Sequence, residues 1–67
     1  MEGVSLVRRV ETIELSGYKQ DEVIKEFNND VKKRTEEGWV LLKYSSCYKY
    51  IDEFYMKYEM ERRFPYN

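Results

Sequence analysis

From Phe54 to Phe64 the chain alternates. Phe54, Met56, Tyr58, Met60 and Phe64 fall on one side, and Tyr55, Lys57, Glu59, Glu61 and Arg63 on the other. Successive side chains of an extended strand point to opposite faces, so this pattern predicts a strand over about 54–64 with one buried and one wetted face. Only Arg62 interrupts the apolar side. A strand of this kind is not stable alone in water, so the rest of the chain must supply partner strands and a cover for the apolar face.

The segment before it supplies one partner. Trp39-Val40-Leu41-Leu42 opens a second strand that runs over about 39–50, and Ile51-Asp52-Glu53 reads as a three-residue hairpin loop. In that register Tyr50 pairs with Phe54, Tyr48 with Met56, Tyr44 with Met60 and Leu42 with Arg62, while Lys43 faces Glu61 across the strands. The cover is a helix over about 20–37. Val23, Ile24, Phe27 and Val31 form one apolar stripe. Asp21 and Glu22 suit the positive end of the helix dipole, and Lys32, Lys33 and Arg34 the negative end. Gly38 is placed to take the left-handed position that stops the helix, followed by Trp39 as the hydrophobic contact.

Leu6 to Leu15 is rich in β-branched and apolar residues and predicts a first strand over about 6–15. Its alternation slips near Arg8-Arg9, so it is either apolar on both faces or bulged there. Pro65 is expected to end the last strand. The fold class is α+β: a single β-α-β-β domain over 1–67, with a three-stranded sheet and one helix on one face. Two strand orders fit. One has parallel first and second strands joined by a right-handed crossover. The favoured one has the last strand in the centre and every pair antiparallel.

The chain has 67 residues, one cysteine and no histidine. A domain this small buries little surface, and neither an internal disulfide nor the usual zinc ligand set is available to brace it. A homo-oligomer is therefore expected, with a second copy covering the sheet face that the helix leaves bare. The same residue counts argue against an enzyme and against any cofactor or metal site. Without histidine there is no Ser-His or Cys-His nucleophile, and Cys47 sits mid-strand as a structural thiol. Glu59 and Glu61 share a strand face but have Lys43, Lys57 and Arg63 as neighbours, which makes them surface ion pairs. The three glycines are isolated and form no phosphate loop.

Charged residues make up 37% of the chain and the net charge is -1. That balance disfavours a duplex nucleic-acid binder, which is usually basic throughout. Met1 to Val10 lacks the long apolar run of a secretory signal, and no stretch is long and apolar enough to span a membrane. A single unpaired cysteine points to a reducing compartment, the cytoplasm.

Aromatic residues are 16% of the chain, and seven of them are tyrosines. Tyrosine suits binding surfaces because it pairs an apolar ring with a polar tip. Tyr48, Tyr50 and Tyr55 lie on the hairpin among basic residues, a composition that can stack bases. Arg8-Arg9 and Arg62-Arg63 would meet if the first and last strands are neighbours, forming an anion site. The candidate ligand-binding residues are therefore Arg8, Arg9, Tyr48, Tyr50, Tyr55, Arg62 and Arg63.

The run Ile24-Lys25-Glu26-Phe27-Asn28, the turn Glu37-Gly38-Trp39-Val40-Leu41 and the strand Leu42-Lys43-Tyr44-Ser45-Ser46-Cys47 resemble two groups of small βαββ proteins from spore-forming bacteria and their phages. One is an uncharacterised family with an E-G-W-E-L-like helix exit, where Val40 here replaces an acidic residue. The other is a small sporulation-associated family with an I-K-Y-S-like second strand. The resemblance implies this fold, a bacterial or phage origin and oligomerisation. By analogy of origin and size alone, small phage or prophage proteins of this kind often act against host defence as inhibitors, by binding a host protein or by sequestering a nucleotide signal. Three functions are thus expected in turn: an oligomer that sequesters a small anionic nucleotide, a protein–protein inhibitor or adaptor using the aromatic hairpin, and a single-stranded nucleic-acid binder.

Overall fold

A computed structural model describes residues 5–66. Its elements are β1 (Ser5–Gly17), α1 (Gln20–Glu36), β2 (Val40–Tyr44), β3 (Tyr48–Tyr50) and β4 (Glu53–Tyr66). The sheet order is β1-β4-β2, with β3 also on β4, and all pairing is antiparallel. The strand with the strongest alternation is thus the central one, and the layout is the expected α+β arrangement. The reading of Met1–Val4 as part of a non-signal segment lies outside the described residues.

The expected second strand is two strands, so the sheet has four strands and not three. Two irregularities separate the predicted register from the actual one. The turn is tighter than expected: Tyr50 pairs with Glu53, leaving a two-residue loop of Ile51 and Asp52, with Ile51 at φ 56°. Tyr48 therefore pairs with Tyr55, not Met56. Between β3 and β2 the chain spends four steps against three on β4, and Ser45 bridges the gap. Its amide donates to the Lys57 carbonyl at 2.8 Å, and its Oγ accepts from the Lys57 amide at 2.9 Å. A second extra residue, Leu42, bulges between the pairs Leu41–Met60 and Lys43–Glu59. Each one-residue slip swaps faces. Tyr48 and Tyr50 therefore point away from the helix, while Tyr44, opposite Tyr58, points toward it.

β1 keeps one continuous register from Ser5 to Gly17. Its mixed phase therefore reflects apolar residues on both faces and not a bulge. β4 continues through Pro65 to Tyr66. Proline is tolerated there because β2 ends opposite Glu61, so beyond it β4 has a neighbour on one side only.

The helix decides which face is the core. Val23 and Phe27 of its stripe are buried, and against them lie Met56, Tyr58 and Met60, at 5%, 1% and 0% exposure. Phe27 meets the Tyr58 ring edge-on at 4.8 Å and Tyr44 at 5.5 Å. The helix ends as its sequence predicts. Gly38 takes φ 99°, its amide donates to the Thr35 carbonyl at 3.1 Å, and the Trp39 amide donates to Arg34 at 2.9 Å. These are the two bonds of a Schellman stop, and Trp39 packs into the core behind it.

The molecule measures 56 × 19 × 14 Å. A 17-residue helix is only about 25 Å long. It runs back along β1 from Gly17, and Arg34 near its end reaches Glu11. Beyond the pair of Val40 with Glu61, residues 5–9 and 62–66 continue as a ribbon of two strands, past the helix and past β2. This arm positions the candidate site.

Candidate functional site

The β1–β4 register sets Arg8 opposite Arg63 and Arg9 opposite Arg62. Two doublets far apart in sequence become four guanidinium groups on one short stretch of ribbon. Alternation divides them between faces. Arg9 and Arg62 share the helix side with Phe64, and Arg8 and Arg63 share the open side with Glu61. The Arg62 guanidinium carbon stands 4.5 Å from the Phe64 ring centre and that of Arg9 6.0 Å away. Arg62 also lies over Gly38: a Cβ there would sit 3.4 Å from its Nε. Its charge thus falls beside the negative end of the helix dipole.

The faces differ in compensation. Glu61 accepts a hydrogen bond from Arg8 Nε and lies 3.6 Å from Arg63 Nε. Among the described residues, Arg9 and Arg62 have no carboxylate at ion-pair distance. Among the described residues, four guanidiniums against one carboxylate leave three formal positive charges at the arm.

The tyrosines form a separate group. Tyr48 and Tyr55 stack with ring centres 5.8 Å apart, and Tyr50 is exposed at the hairpin tip. The Tyr55 hydroxyl donates to Glu53 Oε2 at 3.4 Å, and desolvation together with the Glu53 charge raises its pKa. All three rings lie on the open face. Tyr55 and Arg62 are separated by seven residues of one strand, roughly 23 Å. Within one chain, then, the arginines converge and the tyrosines converge, but the two groups do not meet.

The open face between them is laced with ion pairs. Lys43 reaches Glu59 at 3.2 Å, replacing the expected Glu61, and Lys57 lies 4.0 Å from Glu14. A depression of about 320 Å³ opens there beside the strand break, lined by Thr12, Lys43, Ser45 and Lys57 among others. The same face also exposes Val10, Val40, Tyr48 and Tyr50, so it mixes charged with apolar side chains. Among the described residues no element covers this face, and the arm and the outer edge of β1 also lack a neighbour.

One polar cluster was not singled out in the sequence. The Tyr58 hydroxyl donates to Asp30, Arg34 Nε donates to Asp30 at 2.8 Å, and the other end of Arg34 donates to Glu11 at 3.0 Å. Arg34 also stands 5.7 Å over Trp39. Burial, reinforced by the Asp30 bond, pushes the Tyr58 pKa far above its ordinary value. Burial alone would lower that of Arg34, but its bonds to Asp30 and Glu11 outweigh this and raise it. Both groups hold their protons and act as donors that clamp α1 onto β4 and β1. The Asp30–Arg34 spacing of four on a helix was the available signal. Cys47 is half-buried against the core.

Comparison with protein-family models, with curated proteins and with solved structures finds no match to this chain.

Proposed function

We propose that the chain is a non-catalytic binding protein whose ribbon arm holds a small phosphate-bearing anion of the nucleotide class. The observation that carries this is the pairing of Arg8 with Arg63 and Arg9 with Arg62. Like charges directly opposite one another weaken a strand pair. Glu61 compensates the Arg8–Arg63 pair. The Arg9–Arg62 pair, with no carboxylate at ion-pair distance among the described residues, is the one left in need of an anion. Guanidinium groups hold phosphate oxygens in paired hydrogen bonds. Phe64, flanked by Arg9 and Arg62, adds an aromatic surface for a base. Sequestration of a nucleotide signal in a phage-infected cell is the role this reading favours.

Isothermal titration with inorganic phosphate, a cyclic dinucleotide and a short single-stranded oligonucleotide tests the reading. Binding of the phosphate-bearing small molecules, weakened about tenfold or more by Arg62→Gln, is expected. Tight binding of the oligonucleotide alone, falling steeply with salt, points to a single-stranded nucleic-acid binder instead. Absence of heat with all three removes the proposal.

A second reading rests on a different observation. Tyr48, Tyr50 and Ile51 are exposed at the hairpin end, remote from the arginines. That end suits a protein partner, as an inhibitor or adaptor would use it.

A further inference from the structure

We infer that β1 pairs with the β1 of a second copy, antiparallel and centred on Val10, to make one continuous sheet across a two-fold axis. This goes beyond the anion reading and does not depend on it. β1 spans 13 residues and is paired on one side only. Its outer edge offers a row of backbone donors and acceptors to another strand.

The side chains select the partner and the register. In a two-fold antiparallel pair, each residue faces the partner residue equally far beyond the axis. Centring on Val10 sets Arg9 opposite the partner's Glu11, Val7 opposite the partner's Ile13, and Arg8 opposite the partner's Thr12, each twice. Val10 meets its own copy. Registers centred on Arg8, Arg9, Glu11 or Glu14 put a charge opposite itself, which weakens pairing. Those centred on Thr12 or Ile13 set Val10 against Glu14 or Ser16 and leave the arm unpaired. The Val10 register sets Leu6 against Glu14 near its ends. It nevertheless joins opposite charges at Arg9–Glu11 to matched apolar pairs at Val7–Ile13 and Val10–Val10 without placing a charge on the axis. The Glu11 register pairs Arg8 with Glu14 and Val7 with Leu15, but it sets Glu11 against itself.

Three features of the fold agree with it. In this register the partner's residues 11–15 lie beside residues 5–9, which is the stretch of β1 that has no cover beyond β4. Arg9, which has no carboxylate partner among the described residues, comes opposite the partner's Glu11, sharing it with the Arg34 that already donates to Glu11 within each chain. A groove of about 300 Å³ runs between β1 and α1 at the same edge, lined by Ile13, Leu15, Glu26, Asp30 and Lys33 among others. The partner's Val7 arrives at its mouth beside Ile13, apolar against apolar, and the partner's Arg9 comes near a mixed rim of Glu26 and Asp30 with Lys33 and Arg34. The axis stands perpendicular to the sheet, so both helices lie on one face, and Arg62 of each copy, on that same face, remains open to an anion.

Charge reversal tests the register. Sedimentation equilibrium of the wild-type protein should give twice the 8.3 kDa chain mass. Arg9→Glu alone and Glu11→Arg alone each place like charges at both cross-axis contacts, so each should sediment as a monomer. Because Glu11→Arg also removes the Glu11–Arg34 bond of its own chain, Val10→Asp is read beside it. That change sets a charge against itself on the axis and touches no ion pair, so it should be monomeric with its helical circular dichroism intact. Mixed in equal amounts, the two charge-reversal variants restore both contacts and should form a heterodimer. A wild-type monomer at every concentration overturns the inference. So does a dimer that neither variant weakens, or a pair of monomeric variants that retain helix and stay monomeric when mixed. Phosphate titration of the wild-type protein reads the anion site separately, so either reading can fail alone.

Discussion

Arg9 lies directly opposite Arg62 across the β1–β4 ribbon, and both guanidiniums flank the ring of Phe64. A cross-strand pair of like charges costs a few tenths to about 1 kcal/mol. That cost is screened by salt and relieved by a bound anion. The wild-type melting temperature should therefore rise with sodium chloride and rise further with phosphate at equal ionic strength. Arg62→Gln should flatten both responses in thermal melts followed by circular dichroism. An equal phosphate response in the variant contradicts the assignment.

The hairpin tip stores strain in an exposed residue. Ile51 is β-branched and sits at φ 56°, where residues with a side chain pay about 1–2 kcal/mol. Asparagine tolerates this region. Ile51→Asn should raise unfolding stability in urea by about 1 kcal/mol. An unchanged or lower midpoint argues against the turn as described.

The helix stop depends on Gly38. Its φ of 99° strains any side chain, while a Cβ there would only touch Arg62 at 3.4 Å, so the cost is conformational and not steric. Gly38→Ala should cost about 1–2 kcal/mol in the same assay.

Tyr58 links the core to pH. Its pKa is raised in the folded state above the ordinary 10.0, first by burial and then by its bond to Asp30. A raised acid pKa means that the folded state holds its proton more tightly than the unfolded state. The resulting stability is fully present below pH 10.0 and is lost as pH climbs above it toward the folded-state value. Tyr58→Phe should be less stable than wild type at neutral pH by about 0.5–1.5 kcal/mol, the net worth of one hydrogen bond. The difference should shrink above pH 10.0. A constant difference across that range contradicts the account.

Much of the architecture was legible in residue patterns. The 54–64 alternation identified the central strand, and Gly38-Trp39 identified the helix stop, because each depends on local geometry. The hairpin register was not legible. A regular ladder would place Tyr50 and Tyr48 against Phe54 and Met56, and nothing local marks Leu42 as a bulge or Ser45 as a side-chain substitute for a backbone bond. Both faces of 39–50 carry apolar residues, so patterning could not say which one slips. The meeting of Arg8-Arg9 with Arg62-Arg63 was readable as soon as the first and last strands were taken as neighbours. Its separation from Tyr48, Tyr50 and Tyr55 was not, because it requires the length of β4 and the tight turn together.

The central claim is that the arm, and not the hairpin, is where a phosphate-bearing ligand sits. Backbone amide shifts of the nitrogen-15-labelled protein, titrated with a cyclic dinucleotide, test it most directly. The account predicts saturable shifts clustered at Val7 to Arg9 and Arg62 to Phe64, with little change at Tyr48 to Tyr55. Shifts confined to the hairpin, or none at millimolar ligand, would contradict it.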